Sequence, residues 1–201
     1  MFVSNSLSIY YILIYKIIMV EEKENFITSE ECDEIIKLAS DGFEKSKTLG
    51  TDIEGYRVAF STWIKNDEPI SIKLKQITSE ETGIPIENME TIHVVKYEVG
   101  GEYKDHQDFF HPGEPYYDDC MSRGGQRIKS VLFYLNNEFE GGETNFPMKG
   151  IKVKPVKSKA IIWDNINEDG TLDYESIHAG LPVISGFKYI ATIWIRENKF
   201  K

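Results

Sequence analysis

Apolar positions recur with a helical period in the first part of the chain and with a strand-like period in the rest. Between Phe26 and Gly42, Cys32, Ile35, Ile36 and Ala39 fall at i, i+3, i+4 and i+7, one stripe of an amphipathic helix. Thr28 and Glu31 stand at capping-box spacing, and Gly42 is placed to serve as the C-cap. A second helix is predicted after Asp67. Pro69 suits its first turn, Ile70, Leu74 and Ile77 form its stripe, and Gly83 ends it.

After residue 88 the period falls to about two. The stretches "TIHVVKYEV", "RIKSVLFYL", "IKVKP", "KAIIWD" and "FKYIATIWIR" read as strands rich in β-branched and aromatic residues. Gly100–Gly101, Gly124–Gly125, Gly141–Gly142 and "EDGT" mark turns between them. No helical pattern alternates with the strands, which argues against a parallel α/β sheet. Helices followed by many short strands predict a mainly β fold, a sandwich or jelly roll with the N-terminal helices packed outside. The polar stretch His111–Gly125 interrupts the β region. Segments of that length act as lids or binding loops, or are disordered; a lid that substrate orders is the expectation here.

The N-terminal segment "LSIYYILIYKIIMV" (Leu7 to Val20) is apolar apart from Ser8 and Lys16. It is shorter than the roughly 20 residues of a membrane-spanning helix. It also lacks the basic leader and small-residue cleavage site of a signal peptide. The preferred reading is that Met19 is the natural start, residues 1–20 are an apolar extension, and residues 21–201 form a single catalytic domain. A weak membrane anchor and a strand packed on the domain are the alternatives.

Composition narrows the function classes. A length of 201 residues suits one domain, and a hydrophobic content of 41% is enough to build a core. The net charge of −10 disfavours a protein that grips nucleic acid through its phosphates. Cys32 and Cys120 fit neither a zinc pattern nor a disulfide framework, which points to a reducing, cytoplasmic setting.

The candidate chemistry begins in "YEVGGEYKDHQDFF". His106 and Asp108 are two residues apart, so in a strand they face one space. A pair of this kind is more often a surface hydrogen bond than a metal site. Two later residues change the picture. His178 supplies a second imidazole, and Lys188 follows near the start of the last strand. Two histidines and a carboxylate suit a non-haem Fe(II) oxygenase and leave coordination positions open. The same residue types also bind catalytic zinc. Lys188, Ile190, Thr192, Trp194 and Arg196 share strand parity. If that face is interior, Lys188 implies a bound anion, because an unpaired buried charge is costly. With the opposite parity Lys188 is merely exposed.

Four stretches, "YEVGGEYKDHQD", "GGQRIKSVLFYLN", "GGETNFP" and "HAGLPVISGFKYIATIWIR", occur in this order within residues 90–196. Together they resemble the Fe(II)/2-oxoglutarate dioxygenases of the prolyl 4-hydroxylase family, and "FITSEECDEIIKLA" resembles that family's entry helix. The resemblance implies a double-stranded β-helix, or jelly-roll, core. It implies Fe(II) held by His106, Asp108 and His178. It implies 2-oxoglutarate held by Lys188 through its distal carboxylate, with Tyr97 and Thr144 as hydroxyl donors. The implied reaction consumes O₂ and 2-oxoglutarate, releases succinate and CO₂, and converts a prolyl residue of a peptide or protein to 4-hydroxyproline, with ascorbate as reductant.

Arg57, Arg127 and Trp194 match the family's substrate-side positions, and Tyr116 and Tyr117 on the lid are further candidates. Aromatic platforms and arginine donors suit an extended prolyl peptide. Arg196 departs from the family, many of whose members have histidine there. His93 is expected to pack within its strand and His111 to be a loop residue. Lysyl and small-molecule hydroxylases of the same chemistry, a jelly-roll binding module without catalysis, and a metal-dependent hydrolase are the competing readings.

Overall fold

The computed structural model describes residues 20–50 and 53–201. Residues 1–19, and with them the expected start at Met19, lie outside the described residues; Val20 opens the first strand. The chain runs through β1 (Val20–Lys23), α1 (Ser29–Ala39), β2 (Glu44–Lys45), β3 (Arg57–Val58), β4 (Phe60–Ile64) and α2 (Pro69–Thr82). It continues through β5 (Ile92–Tyr97), β6 (Glu102–His106), α3 (Tyr117–Ser122), β7 (Arg127–Tyr134), β8 (Phe139–Gly141) and β9 (Thr144–Phe146). The last elements are β10 (Ile151–Val153), β11 (Ala160–Asp164), β12 (His178–Gly180), β13 (Val183–Gly186) and β14 (Lys188–Arg196).

The strands form a seven-stranded sheet in the order β1-β11-β7-β14-β5-β4-β2 and a five-stranded sheet in the order β10-β9-β12-β6-β3. β13 and β8 make a separate two-stranded sheet. The strand pairs are antiparallel, as a jelly roll requires.

Strand alternation divides the core in two. One face of the large sheet carries Ile92, Val94, Val131, Phe133, Ala191, Ile193 and Ile195, which pack with Cys32, Ile35 and Ala39 of α1 and Ile70 and Leu74 of α2. The helices therefore cover that sheet from outside, where their apolar stripes predicted contact. The opposite face carries Val95, Tyr97, Leu132, Tyr134, Ile161, Trp163 and Ile190, which meet Phe146 and Val153 of the second sheet. Lys188 belongs to this inner face and is buried, so the parity read from the sequence points inward.

Local chemistry explains the helix ends. Thr28 and Glu31 form the reciprocal capping box. Pro69 occupies the first turn of α2, and Gly83 closes that helix in the left-handed conformation at φ 70°. Gly42 corrects an expectation. α1 ends at Ser40 in right-handed geometry, and Gly42 is absent from the left-handed region. A Cβ on Gly42 would lie 2.6 Å from Thr62 Oγ1, so the small residue there permits close approach to β4.

The segment between β6 and β7 contains α3, and its end is tied to the C-terminal residues. Asn198 N–H donates to Gly124 O at 2.8 Å and Lys201 N–H to Arg123 O at 3.1 Å. Among the described residues no helix is long and apolar enough to cross a membrane.

Candidate active site

Antiparallel pairing of β6 with β12 sets His106 opposite His178. Asp108 lies in the bend just past β6 and still turns its carboxylate to the same point. One ligand atom from each of the three residues falls within 4.8 Å of the others. His106 Nε2 is 3.8 Å from Asp108 Oδ1, and His178 Nε2 is 3.9 Å from Asp108 Oδ2.

The surroundings orient each donor. His106 Nδ1 donates to Lys104 O at 2.7 Å, and His178 Nδ1 donates to Ser176 O at 2.9 Å. Those bonds place the proton on Nδ1 and leave both Nε2 lone pairs facing the cluster. Asn165 Nδ2 donates to Ser130 Oγ at 2.9 Å, and Ser130 Oγ donates to Asp108 Oδ2 at 2.6 Å. Tyr103 stacks on His106 with ring centroids 3.5 Å apart. Burial, reinforced by His178, pushes His106 down to about 3, so its imidazole is neutral near pH 7. Burial acts to raise Asp108, but His178, His106 and Arg127 outweigh it and keep the carboxyl below its usual range. Two imidazole nitrogens and one anionic oxygen, held in orientation, are a donor set that fits Fe(II).

The anion end of the same cavity is built on β14 and β5. Lys188 is paired across from Tyr97 and is 2% exposed. Its ammonium lies 5.1 Å from the centroid of the Tyr97 ring and 5.8 Å from that of Tyr134. Among the described residues no carboxylate lies within 4.0 Å of it. Burial, only partly offset by Glu143, lowers Lys188 to about 7. A Cβ on Gly180 would lie 3.7 Å from Tyr97 OH and 3.9 Å from Lys188 Nζ. Glycine there leaves room where a phenol and an ammonium converge. Thr144 also lines the cavity, and its Oγ1 accepts from Tyr134 OH at 2.7 Å. A buried ammonium beside hydroxyl groups, in the cavity that holds the three ligands, fits the distal carboxylate of 2-oxoglutarate.

The predicted substrate-side residues separate. Arg57 and Trp194 line the cavity. The Arg57 guanidinium lies 4.7 Å over the Tyr103 ring and donates to Lys47 O at 3.2 Å. Arg127 stands one layer back. It makes a bidentate pair with Glu90, at 2.7 and 2.9 Å, and stacks 3.8 Å over the face of Trp194. Tyr116 lies close to Gly50, and neither Tyr116 nor Tyr117 lines the cavity. His111 stacks on Phe109 and is not part of the ligand cluster.

Arg196 points toward the segment between β6 and β7. Its Nη1 donates to Gly125 O at 2.6 Å and its Nη2 to Cys120 O at 2.7 Å, with Nε 3.1 Å from Glu90 Oε1.

Sequence reasoning missed Tyr103 and Tyr134; His93 packs within its strand as expected and in addition lines the cavity. Parity was the available signal for two of them. Tyr134 shares a face with Ser130 and Leu132, and His93 shares one with Val95 and Tyr97.

This architecture and site define a metal-dependent oxygenase that takes an anionic cosubstrate. Residues 92–196 match the model of the 2OG-Fe(II) oxygenase superfamily. The chain is 35% identical to prolyl 4-hydroxylase 2 of Arabidopsis thaliana, over 88% of this chain and 67% of that protein. It is 34% identical to a putative prolyl 4-hydroxylase of Acanthamoeba polyphaga mimivirus, over 88% of this chain and 73% of that one. Among solved structures, the viral collagen prolyl hydroxylase of Paramecium Bursaria Chlorella virus-1, in its 2OG complex, superimposes with a TM-score of 0.69 at 29% identity, covering 88% of this chain and 95% of that one. The protein belongs to the 2OG-Fe(II) oxygenase superfamily and, within it, to the prolyl 4-hydroxylase family. Its cofactor is Fe(II) and its cosubstrate 2-oxoglutarate.

Proposed function

We propose that the protein hydroxylates prolyl residues of a peptide or protein at C4. The observation that carries this reading is one cavity holding three metal-ligand side chains and a buried ammonium with no carboxylate beside it. The prolyl substrate is inferred from the relatives, whose names state that class. When bound, iron with 2-oxoglutarate and O₂ supplies the oxidation: the oxo acid becomes succinate and CO₂, and one oxygen atom ends in the new hydroxyl.

The chain's own residues bind, orient and exclude water. His106, Asp108 and His178 hold the metal, and the carbonyls of Lys104 and Ser176 keep the imidazoles turned to it. Lys188, Tyr97 and Thr144 fix the distal carboxylate, and that grip sets which way the oxo acid points. The ammonium gains its anion only when cosubstrate arrives, so charge neutralisation accompanies loading. Trp163, Leu132 and Ile190 line the cavity and keep it dry. Arg57 and Trp194 face the peptide, and Arg127 fixes the indole from behind.

Ascorbate as reductant and a cytoplasmic setting belong to the same proposal; the free thiols of Cys32 and Cys120 support a reducing compartment. The test is a peptide panel of (Pro-Pro-Gly), (Pro-Ala) and (Ser-Pro) repeats, with Fe(II), 2-oxoglutarate and ascorbate. A gain of one oxygen on proline, assigned as 4-hydroxyproline and absent with His178→Ala, is the expected result. Stimulation by lysyl peptides alone would move the protein to another hydroxylase class.

A further inference from the structure

We infer that His93 is a peptide-binding residue of this site: its imidazole, packed against two indoles at the cavity wall, hydrogen-bonds the substrate backbone beside the reacting proline. The inference rests on the prolyl-hydroxylase reading and deepens it.

His93 sits on β5 directly across from Trp63 of β4 and Thr192 of β14. It belongs to the inner face of the large sheet, lines the cavity and is 4% exposed. The ring centroid of Trp63 lies 4.4 Å away, tilted, and that of Trp194 lies 5.3 Å away in a stacked arrangement, while the two indoles are themselves 6.2 Å apart, so the three rings form one cluster. The ring is therefore fixed in orientation. Among the described residues neither of its nitrogens makes a hydrogen bond. Burial, with Arg57 and Arg127 nearby, holds His93 well below its usual range and leaves it uncharged. A neutral imidazole carries one donor and one acceptor; with no protein partner and some exposure left, both are free to serve a bound ligand.

Packing alone does not explain the residue. An apolar side chain would fill the space as well, and the next inward position on β5 is Val95. Nor is the stack sealed from solvent. Trp63 is 52% exposed, so the cluster of Trp194, His93 and Trp63 reaches from the cavity to the molecular surface as a ledge.

The polar atoms along this ledge match a prolyl chain. Beside His93, Trp194 Nε1 and Arg57 Nε are buried with no partner, and both are donors. Proline offers a carbonyl and no N–H, so a prolyl segment is rich in acceptors and poor in donors. Donors along the wall and acceptors along the chain are complementary. Indole faces additionally suit flat, rigid pyrrolidine rings.

The test compares steady-state kinetics of wild type, His93→Leu and His93→Gln on the repeat peptide that wild type turns over best, with Fe(II) and 2-oxoglutarate saturating. His93→Leu is expected to raise the peptide KM about 5- to 10-fold, the size of one lost hydrogen bond, with kcat little changed. The KM for 2-oxoglutarate should not move. His93→Gln, which keeps a donor and an acceptor, should recover most of the loss. If His93→Leu fails to fold, His93→Phe keeps the stack and carries the same expectation. An unmoved peptide KM in the apolar variant, or a glutamine variant as weak as the apolar one, would overturn the inference alone. Wild-type protein that forms no 4-hydroxyproline would overturn the prolyl reading and this inference with it.

Discussion

Strand β14 begins and ends on a buried cation, and the fold treats the two in opposite ways. At its end, Arg196 donates to the carbonyls of Cys120 and Gly125 and lies beside Glu90, which also accepts from Nε and Nη2 of Arg127. At its start, Lys188 is equally buried, and its close neighbours are two ring faces. Desolvation acts on all three groups. Glu90 outweighs it at Arg127, whose pKa is raised; at Arg196 burial still prevails and lowers the pKa in spite of Glu90, and Lys188, with no such partner, falls to about 7. A cation supplied with protein partners is part of the fold. A cation buried without them destabilises the empty protein, and the loss is recovered only when an anion binds. On this account the two ends of one strand divide the work, one holding the lid and the wall behind Trp194, the other holding the cosubstrate.

The largest effect expected at the site comes from the ligands. His178→Ala should abolish 2-oxoglutarate turnover while the circular dichroism spectrum stays native. Its ring packs against Phe146 and Trp163, so a modest loss of stability accompanies the loss of activity.

The two ends of β14 should then respond with opposite signs. Glu90→Gln leaves the guanidiniums of Arg127 and Arg196 without their anion and should cost about 3–5 kcal/mol in urea unfolding. Lys188→Met removes a buried charge that has no protein partner. Measured near pH 6 without 2-oxoglutarate, it should stabilise the protein by about 1–3 kcal/mol. Destabilisation by both would mean that Lys188 is an ordinary structural residue.

A titration sharpens the same contrast. Below pH 7 Lys188 holds its proton in both states, and the cost of burying that charge is complete and constant. Between pH 7 and the unfolded value of 10.5, the unfolded chain retains a proton that the folded chain has lost. Stability of the cosubstrate-free protein should therefore rise with pH across that window, by up to about 1.4 kcal/mol per pH unit. The difference between wild type and Lys188→Met at each pH isolates this contribution.

The smallest effect concerns the lid. Arg196→Met should speed amide exchange over residues 120–125, whose carbonyls it holds, with less change over 111–116. Peptide binding should slow exchange across the whole segment if it closes on substrate. Equal, strong protection with and without peptide would make the segment a structural element.

The long elements were legible in the sequence because hydrophobic periodicity needs length to show itself. Cys32, Ile35 and Ala39, and Ile70 and Leu74, face the core as their stripes require. The alternating run of β14 grouped Lys188 with Trp194 on one face but left open which face was interior, and burial of Lys188 decides it. Strands of two to five residues, such as β3, β9 and β12, carry too few positions for a period, yet they hold Arg57, Thr144 and His178. Arg57 and Thr144 were found through motif resemblance, and His178 through its residue type as a second imidazole, none of them through strand pattern. Pairings between distant segments were illegible altogether. Nothing local to Arg127 announces Glu90, 37 positions away, and nothing local to Arg196 announces the carbonyls of Cys120 and Gly125. Gly42 was misread because a helix cap and a close approach to β4 both favour glycine, and only the Thr62 contact separates them.

The central claim is that Lys188 is kept unpaired in order to take the distal carboxylate of 2-oxoglutarate. The direct measurement is the 2-oxoglutarate dependence of CO₂ release with Fe(II) saturating, in wild type and Lys188→Ala. Loss of a charge-assisted hydrogen bond of about 1.5–3 kcal/mol predicts cosubstrate binding weaker by about 10- to 150-fold. Fe(II) affinity should be retained, because His106, Asp108 and His178 are untouched. Lys188→Arg should rescue only in part, since a longer, planar head needs a different pocket. An unchanged 2-oxoglutarate dependence in Lys188→Ala would contradict the account.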